Sequence, residues 1–152
     1  MQEDTILRVS LVQFDIEWEN KQRNLEKINE YIASVPETDL FVLPEMFSTG
    51  FTMNSKNLAE SNNGVTMTTI KSWAKQYNTA ICGSFIALED DHCYNRGFFI
   101  TPDKEYYYDK RHLFRMGSEP EHFSAGKERL IFEYKGFKIC LLSCYDLRFP
   151  VW

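Results

Sequence analysis

The stretch FKICLLSC at residues 137–144, followed at once by YDLRFP at residues 145–150, decides the interpretation of this chain. An apolar, strand-like run ends at Cys144 and gives way to a polar, charged turn. A strand fixes the position of the side chain at its end, while a turn exposes that side chain and can direct backbone N–H groups at a bound carbonyl. Cys144 is therefore a candidate nucleophile.

Two other reactive side chains occupy similar positions. Glu45 follows the apolar run LFVLP at residues 40–44, and Lys110 follows YYYD at residues 106–109. A free thiol is mostly protonated near neutral pH, so a cysteine nucleophile needs a base or a nearby cation. A glutamate can take the thiol proton and return it to a departing amine, and a lysine can hold an oxyanion. The ordinary alternatives are a core cysteine, a loop glutamate and a solvated lysine.

The composition argues against several classes of function. The chain has 152 residues, enough for one domain, and its net charge of −5 argues against a nucleic-acid or anionic-membrane partner. No apolar run reaches the ~20 residues that a membrane helix needs. The cysteines lack C-x-x-C spacing and the histidines lack metal-ligand spacing, so we expect no metal, no cofactor, reduced thiols and a cytoplasmic protein. Cys140 and Cys144 are predicted to share one face of the last strand.

Hydrophobic periodicity predicts helices that alternate with strands in the first half of the chain and strands that follow one another in the second half. The first predicted helix begins after Asn20, its N-cap, and ends near Ser34. The second spans about residues 65–77. The predicted strands are residues 6–14, 39–43, 79–88, 94–101, 104–109, 129–134 and 137–143. The first strand is expected to be largely buried and parallel to the second, because a helix connects them. Residues 110–126 are predicted to form a long functional loop.

This pattern predicts an α/β layered domain with helices on one face of the sheet. The turn after Cys144 calls for a following helix, which the sequence does not supply. We therefore expect an unfinished sheet. Either the chain is a fragment, or another chain completes its core.

Three segments resemble, in order, the signature segments of the nitrilase, or carbon–nitrogen hydrolase, superfamily: LPEMF at 43–47, YDKRHLF at 108–114 and SCYDLRFP at 143–150. VSLVQ at 9–13 is similar to the first strand of that superfamily. By this resemblance residues 1–152 are identified as one carbon–nitrogen hydrolase domain. The implied fold is an α-β-β-α sandwich, incomplete at its C-terminus.

The resemblance also implies roles for individual residues. Glu45 would be the general base, Lys110 the lysine that stabilises the oxyanion, and Cys144 the nucleophile. A further glutamate of the superfamily orients the lysine and the substrate. Glu119 fits that pattern best, and Glu121 is its rival.

Within the superfamily the segments look most like the omega-amidases, which hydrolyse the terminal amide of 2-oxoacid amides. The resemblance implies a small amide substrate such as 2-oxoglutaramate or 2-oxosuccinamate, a cysteine thioester and release of ammonia. The backbone N–H of Tyr145 would belong to the oxyanion hole. Phe47, Phe51 and Arg148 are candidates to line a pocket for a small anionic substrate, although Arg148 is equally suited to a structural ion pair. Nitriles and N-carbamoyl compounds remain open as substrates.

Two other functions compete with amide hydrolysis. A non-catalytic remnant could bind a partner or complete an oligomer, since exposed sheet edges invite pairing with another chain. A glycosidase built on Glu45 and Glu119 would leave the cysteine and the lysine unexplained. A homo-oligomer is expected by resemblance, because the superfamily commonly forms dimers or larger assemblies.

Overall fold

The computed structural model describes residues 6–152, so residues 1–5 of the predicted domain lie outside it. Five strands form one sheet in the order β1-β2-β3-β4-β5, and two more form a hairpin. The strands are β1 Val9–Leu11, β2 Leu40–Val42, β3 Ala80–Glu89, β4 His92–Ile100, β5 Glu105–Asp109, β6 Ile131–Tyr134 and β7 Phe137–Cys140. The helices are α1 Lys21–Ser34, α2 Ser55–Leu58, α3 Val65–Gln76 and α4 Glu119–His122, with 3-10 turns at Arg115–Gly117 and Cys144–Arg148.

Helix α1 forms where its cap and its apolar stripe agree. The Asn20 side chain accepts a hydrogen bond from the Arg23 N–H at 3.1 Å, which satisfies one free donor of the first turn. Leu25, Ile28 and Ile32 lie at helical spacing and are buried against the sheet. Helix α3 packs beside α1 on the same face, so the predicted helices are confirmed.

The sheet confirms the predicted connection between β1 and β2, which pair in parallel across α1. The first strand is nevertheless shorter than predicted, three residues instead of nine. The expectation that it is largely buried is wrong, because Val9 is 47% and Leu11 78% exposed. As an edge strand, β1 has a neighbouring strand on one side only. The apolar sequence of β1 does not show that the strand lies at the edge of the sheet.

The hairpin of β6 and β7 forms a second β layer on the face of the sheet opposite the helices. Phe132 of the hairpin stacks on Tyr106, with ring centroids 4.1 Å apart, and contacts Phe99 edge-on at 4.8 Å. Within residues 6–152 the protein therefore has three layers: the helices, the five-stranded sheet and the β6–β7 hairpin. Ile131, on the outer side of the hairpin, remains exposed.

Strand directions bring the site residues to one edge of the main sheet. Strands β2 and β3 are parallel, and β5 is related to β3 through two antiparallel pairings. The carboxyl ends of β2 and β5 therefore point the same way. Glu45 and Lys110 follow those two ends. Their separation of 65 positions in the sequence disappears in the fold.

Two local predictions need correction. Residues 110–126 are not a single loop, because they include a 3-10 turn and the short helix α4. Cys140 and Cys144 do not share a strand face, because β7 ends at Cys140. All four cysteines are free thiols, with Cys82 and Cys93 buried.

Candidate active site

Glu45 lies at the turn that follows β2. The next residue, Met46, has a φ of 48°, and its N–H donates to the Ser84 hydroxyl at 2.8 Å. A positive φ is unfavourable for a residue with a side chain, so contacts with the surrounding structure must hold this turn. Met46 is fully buried, which supplies part of that constraint. The turn leaves the Glu45 side chain 21% exposed.

Lys110 follows β5 and its side chain is fully buried. Its carbonyl accepts a hydrogen bond from the Gly126 N–H at 2.9 Å. A Cβ atom at position 126 would lie 1.9 Å from the Asp109 carbonyl oxygen, so only glycine permits this approach. The end of the predicted loop thus returns to lie against the lysine.

Lys110 and two carboxylates form a compact charged network. The Lys110 ammonium lies 2.7 Å from Glu45 Oε1, 2.9 Å from Glu119 Oε2 and 3.2 Å from Glu119 Oε1. Glu119 is fully buried and also accepts the Phe114 N–H at 2.6 Å, whereas Glu121 is exposed. Of the two rival glutamates, the fold brings Glu119 to the lysine.

Cys144 begins the 3-10 turn after β7 with a φ of 45°. A left-handed conformation at a non-glycine residue is typical of a nucleophile on a sharp turn, where it is held by its surroundings. The residue is exposed, in contrast to the buried thiols of Cys82 and Cys93. The strand-to-turn transition thus presents the thiol to solvent.

Asp146 holds that turn in place. Its fully buried carboxylate accepts hydrogen bonds from the Ser143 N–H at 3.0 Å, the Tyr108 hydroxyl at 2.8 Å and the His112 N–H at 2.8 Å. Burial, together with the Asp146 hydrogen bond, raises the pKa of Tyr108, so this phenol stays protonated as a donor. Asp146 thereby ties the cysteine turn to the segment that carries Lys110.

The charges of the network set the protonation states at the site. Burial opposes the charge on Lys110, but hydrogen bonds and attraction from Glu45 and Glu119 outweigh it and raise the pKa of the ammonium. Burial and the nearby Glu45 carboxylate raise the pKa of the Cys144 thiol, and Lys110 offsets only part of this effect. The resting site therefore holds a lysine cation and a neutral thiol.

Cys144 borders two cavities. A cavity of about 140 Å³ is shared with Glu45 and Ser143. A wider cavity of about 630 Å³ is lined by Phe114, Met116, Cys144, Tyr145, Leu147, Arg148 and Phe149. The thiol thus connects the charged network to a largely apolar cavity with one cation.

The other residues predicted to contact the substrate do not all lie at the cavity. Tyr145 and Arg148 line the wider cavity. Phe47 does not line a pocket, and that expectation is wrong: it is fully buried in the core, edge-on to Phe98 at 6.0 Å. Phe51 covers the network, with its ring centroid 5.5 Å from the Lys110 ammonium. Arg148 has no ion-pair partner within residues 6–152.

Sequence reasoning missed Asn95. Its side-chain amide donates to Glu45 Oε1 at 2.7 Å and to Glu119 Oε1 at 2.9 Å. Asparagine is disfavoured in strands, and Asn95 lies inside the largely apolar strand β4, which was the available signal. Its partners are 50 and 24 positions away, so no local pattern identifies them.

Comparison with protein families decides the classification. A family model described as carbon-nitrogen hydrolase matches residues 8–151. The chain belongs to the carbon–nitrogen hydrolase family. The resemblance of the three signature segments is thereby confirmed.

Individual carbon–nitrogen hydrolases show the same relationship. The chain is 40% identical to omega-amidase YafV of Yersinia enterocolitica and 39% identical to that of Escherichia coli K12, over 96% of this chain and 57% of each relative. It is 32% identical to 2-oxoglutaramate amidase of Bacillus subtilis, over 95% of this chain and 58% of that protein. The chain thus spans somewhat more than half the length of these curated relatives.

Solved carbon–nitrogen hydrolase structures confirm the α/β fold. XC1258 of Xanthomonas campestris, a superfamily protein with an arsenic adduct in its active site, is 40% identical and superposes with a TM-score of 0.92, over 95% of this chain and 56% of XC1258. An amidase from Nesterenkonia sp. AN1 has the same fold at 20% identity, with a TM-score of 0.87 over 96% of this chain and 60% of the amidase.

Two other features are absent from the part of the chain that the structure describes. None of the helices between residues 6 and 152 is long and apolar enough to span a membrane. The same residues contain no group of three or more His, Cys, Asp or Glu side chains that could hold a metal ion.

Proposed function

We propose that this chain carries the catalytic centre of an amidase that hydrolyses the ω-amide of a small 2-oxoacid through a cysteine thioester. The observation that carries the proposal is the Glu45–Lys110–Glu119 network beside an exposed thiol at the border of a cavity. The names of the similar proteins, omega-amidase and 2-oxoglutaramate amidase, support the choice of substrate.

In the first half of the reaction Glu45 takes the Cys144 proton as the sulfur attacks the amide carbon. The raised pKa of the thiol means that a base is required for this step. The C=O electron pair moves to oxygen, which becomes an oxyanion. When that pair returns, the C–N bond breaks, and Glu45 passes its proton to the nitrogen, which leaves as ammonia. The product on the protein is a thioester.

In the second half water replaces ammonia. Glu45 removes a proton from water as its oxygen attacks the thioester carbon, and a second oxyanion forms. When this oxyanion collapses, the C–S bond breaks and the carboxylic acid departs. Glu45 returns the proton to Cys144. Atoms balance as one amide and one water giving one acid and one ammonia.

Lys110 and the Tyr145 N–H are assigned to the oxyanion. A lysine ammonium has three hydrogens. One bonds Glu45, and a second is directed between the two oxygens of Glu119, which lie 2.9 and 3.2 Å from the nitrogen, so that the third is left for the oxyanion. The Tyr145 N–H lies in the first turn of a 3-10 helix, where backbone donors lack partners within the helix. Glu119 holds the ammonium in position from the buried side.

The wider cavity suits a short substrate with an anionic end. Arg148 is its cation and has no carboxylate partner among the described residues, so it is available for the substrate carboxylate. Phe114, Tyr145 and Phe149 supply apolar contacts for the carbon chain.

We further propose that the protein is cytoplasmic, since its four cysteines are free. We also propose that it forms a homo-oligomer through the exposed apolar edge of the sheet at Val9 and Leu11.

The test is ammonia release from 2-oxoglutaramate, with 2-oxosuccinamate and glutamine as comparison substrates. Cys144→Ala is expected to lower kcat at least ~10³-fold, because no other group can form the thioester. Cys140→Ala is the matched control, since Cys140 is also exposed but lies outside the cavity, and it should retain normal turnover.

Alkylation separates this proposal from the non-catalytic alternative. Fast labelling of Cys144 by iodoacetamide at high pH, with slow labelling of the buried Cys82 and Cys93, is expected of the proposed site. Normal turnover by Cys144→Ala would remove the assignment of the nucleophile. No turnover of any small amide by the unmodified protein would favour the binding or oligomerisation module.

A further inference from the structure

Asn95 has an unusual hydrogen-bonding arrangement for a buried residue. Both of its amide hydrogens point at carboxylates, Glu45 Oε1 at 2.7 Å and Glu119 Oε1 at 2.9 Å. Its own Oδ1 is buried and has no hydrogen-bond partner within residues 6–152. A buried acceptor without a partner is costly, so another part of the structure must require this orientation.

The two carboxylates impose that requirement. Rotating the amide by half a turn would place Oδ1 opposite Glu45 and Glu119, so that oxygen acceptors would face each other without a proton between them. Lys110 supplies one positive charge to two carboxylates that would otherwise repel each other. Asn95 therefore acts as a neutral donor that serves both acids at once.

The same contacts distinguish the two oxygens of Glu45. Oε1 accepts hydrogen bonds from the Lys110 ammonium at 2.7 Å, the Asn95 amide at 2.7 Å and the Ser143 hydroxyl at 3.2 Å. No N–H or hydroxyl group of the described residues donates to Oε2. Three donors occupy one oxygen and leave the lone pairs of the other available.

We propose that Asn95 is a positioning residue, which with Lys110 and Ser143 anchors Glu45 through Oε1 so that Oε2 exchanges protons with the Cys144 thiol, the departing ammonia and the attacking water. This inference rests on the proposed function. It adds that one oxygen of the base holds the network together while the other performs the proton transfers.

The main test variant is Asn95→Leu, which keeps the approximate shape and removes the donor. Loss of a hydrogen bond to an ionised carboxylate raises its pKa, and Glu45 must be ionised to act as a base. The acidic limb of the kcat/KM profile should therefore move about one pH unit upward. We expect kcat to fall ~10²-fold and KM to change less than ~3-fold.

Asn24→Leu is the matched control. Asn24 is also fully buried and uses its side chain for three backbone contacts, donating to the carbonyls of Glu17 and Ser48 and accepting from the Glu17 N–H. It should lower the melting temperature and leave the acidic limb unchanged. Asn95→Ser retains one hydroxyl donor on a shorter side chain, and its acidic limb should fall between those of the wild type and Asn95→Leu.

A titration without turnover separates this inference from the proposed function. In protein labelled with ¹³C at the glutamate carboxyl carbon, the Glu45 signal is identified by its absence in Glu45→Gln. Its midpoint should rise in Asn95→Leu and remain unchanged in Asn24→Leu. An unchanged Glu45 midpoint in Asn95→Leu would overturn the role of Asn95, whether or not the protein hydrolyses 2-oxoglutaramate.

Discussion

Two buried cations of this protein each hold two carboxylates, and they differ in what they leave available. Arg96 binds Asp109 through two nitrogens at 2.7 and 2.9 Å, and also contacts Glu89 and Asn62. Lys110 binds Glu45 and Glu119. The arginine uses its planar fork fully on the protein, whereas the lysine is proposed to keep one N–H for the oxyanion.

The two networks come from adjacent residues. Asn95 and Arg96 are neighbours in β4, and Asp109 and Lys110 are neighbours at the end of β5. Successive residues of a strand point to opposite faces, so each neighbouring pair is divided between the two networks. The cysteine turn lies on the lysine side only. Similar charges therefore build a structural clamp on one side and a reactive site on the other.

The largest effect should come from replacing the cations. Lys110→Met leaves Glu45 and the fully buried Glu119 without a counter-charge, so we expect a loss of about 3–5 kcal/mol in the free energy of unfolding and a fall in kcat of at least ~10²-fold. Arg96→Met should cost less, about 1–3 kcal/mol, because Glu89 is 56% exposed and can return to water.

Urea denaturation and ammonia release measure both effects. Turnover by Arg96→Met should remain within ~10-fold of the wild type, since its losses affect the clamp and not the oxyanion. A fall in kcat as large as that of Lys110→Met would show that the two networks act as one.

A smaller effect is expected from replacing one carboxylate partner of each cation, Glu119 beside Lys110 and Glu89 beside Arg96. Glu119→Gln keeps the shape but removes the buried charge beside Lys110, so we expect about 1–3 kcal/mol of destabilisation and a kcat lowered ~10–100-fold. Glu89→Gln should cost no more than about 1 kcal/mol, since exposed ion pairs contribute little, and should leave kcat unchanged. Equal kcat values for the two variants would contradict the assignment of Glu119.

The smallest change is a shift in the pH dependence of thiol alkylation. Burial and Glu45 raise the pKa of Cys144, so its reaction with iodoacetamide should reach half its maximum above the ordinary thiol range. Ionisation of the thiol adds a negative charge beside Glu45. Removing the carboxylate in Glu45→Gln therefore favours the thiolate and lowers this midpoint.

Glu121→Gln provides the control for alkylation, because Glu121 is exposed and makes no contact with Lys110. Its midpoint should equal that of the wild type. A midpoint that stays constant in Glu45→Gln would mean that the carboxylate does not interact with the thiol.

Much of the fold follows from local pattern. The Asn20 cap and the stripe of Leu25, Ile28 and Ile32 predict α1 to within a residue or two, because a helix is specified by neighbours three and four positions apart. The strand at the edge of the sheet was predicted too long and too buried. Whether another element covers Val9 and Leu11 depends on contacts distant in sequence.

The candidate site also combines features that the sequence predicts with features that only the fold shows. Glu45, Lys110 and Cys144 were identified from the resemblance of their segments and from their positions after strand-like runs, and their roles remain predictions. The family resemblance favours Glu119 over Glu121, and only the fold shows that Glu119 is buried while Glu121 is exposed. The aromatic character of Phe47 suggests a residue that lines the substrate pocket, but its side chain lies in the core.

The sequence by itself determined the helices, most strands and the three segments that identify the family, because each of these depends on residues within a few positions of one another. Only the tertiary structure decided which Glu45 oxygen is occupied, that Asn95 joins two carboxylates, and that Arg96 belongs to a separate network. Those features depend on hydrogen bonds between atoms that are distant in the chain and become neighbours only when the sheet has formed.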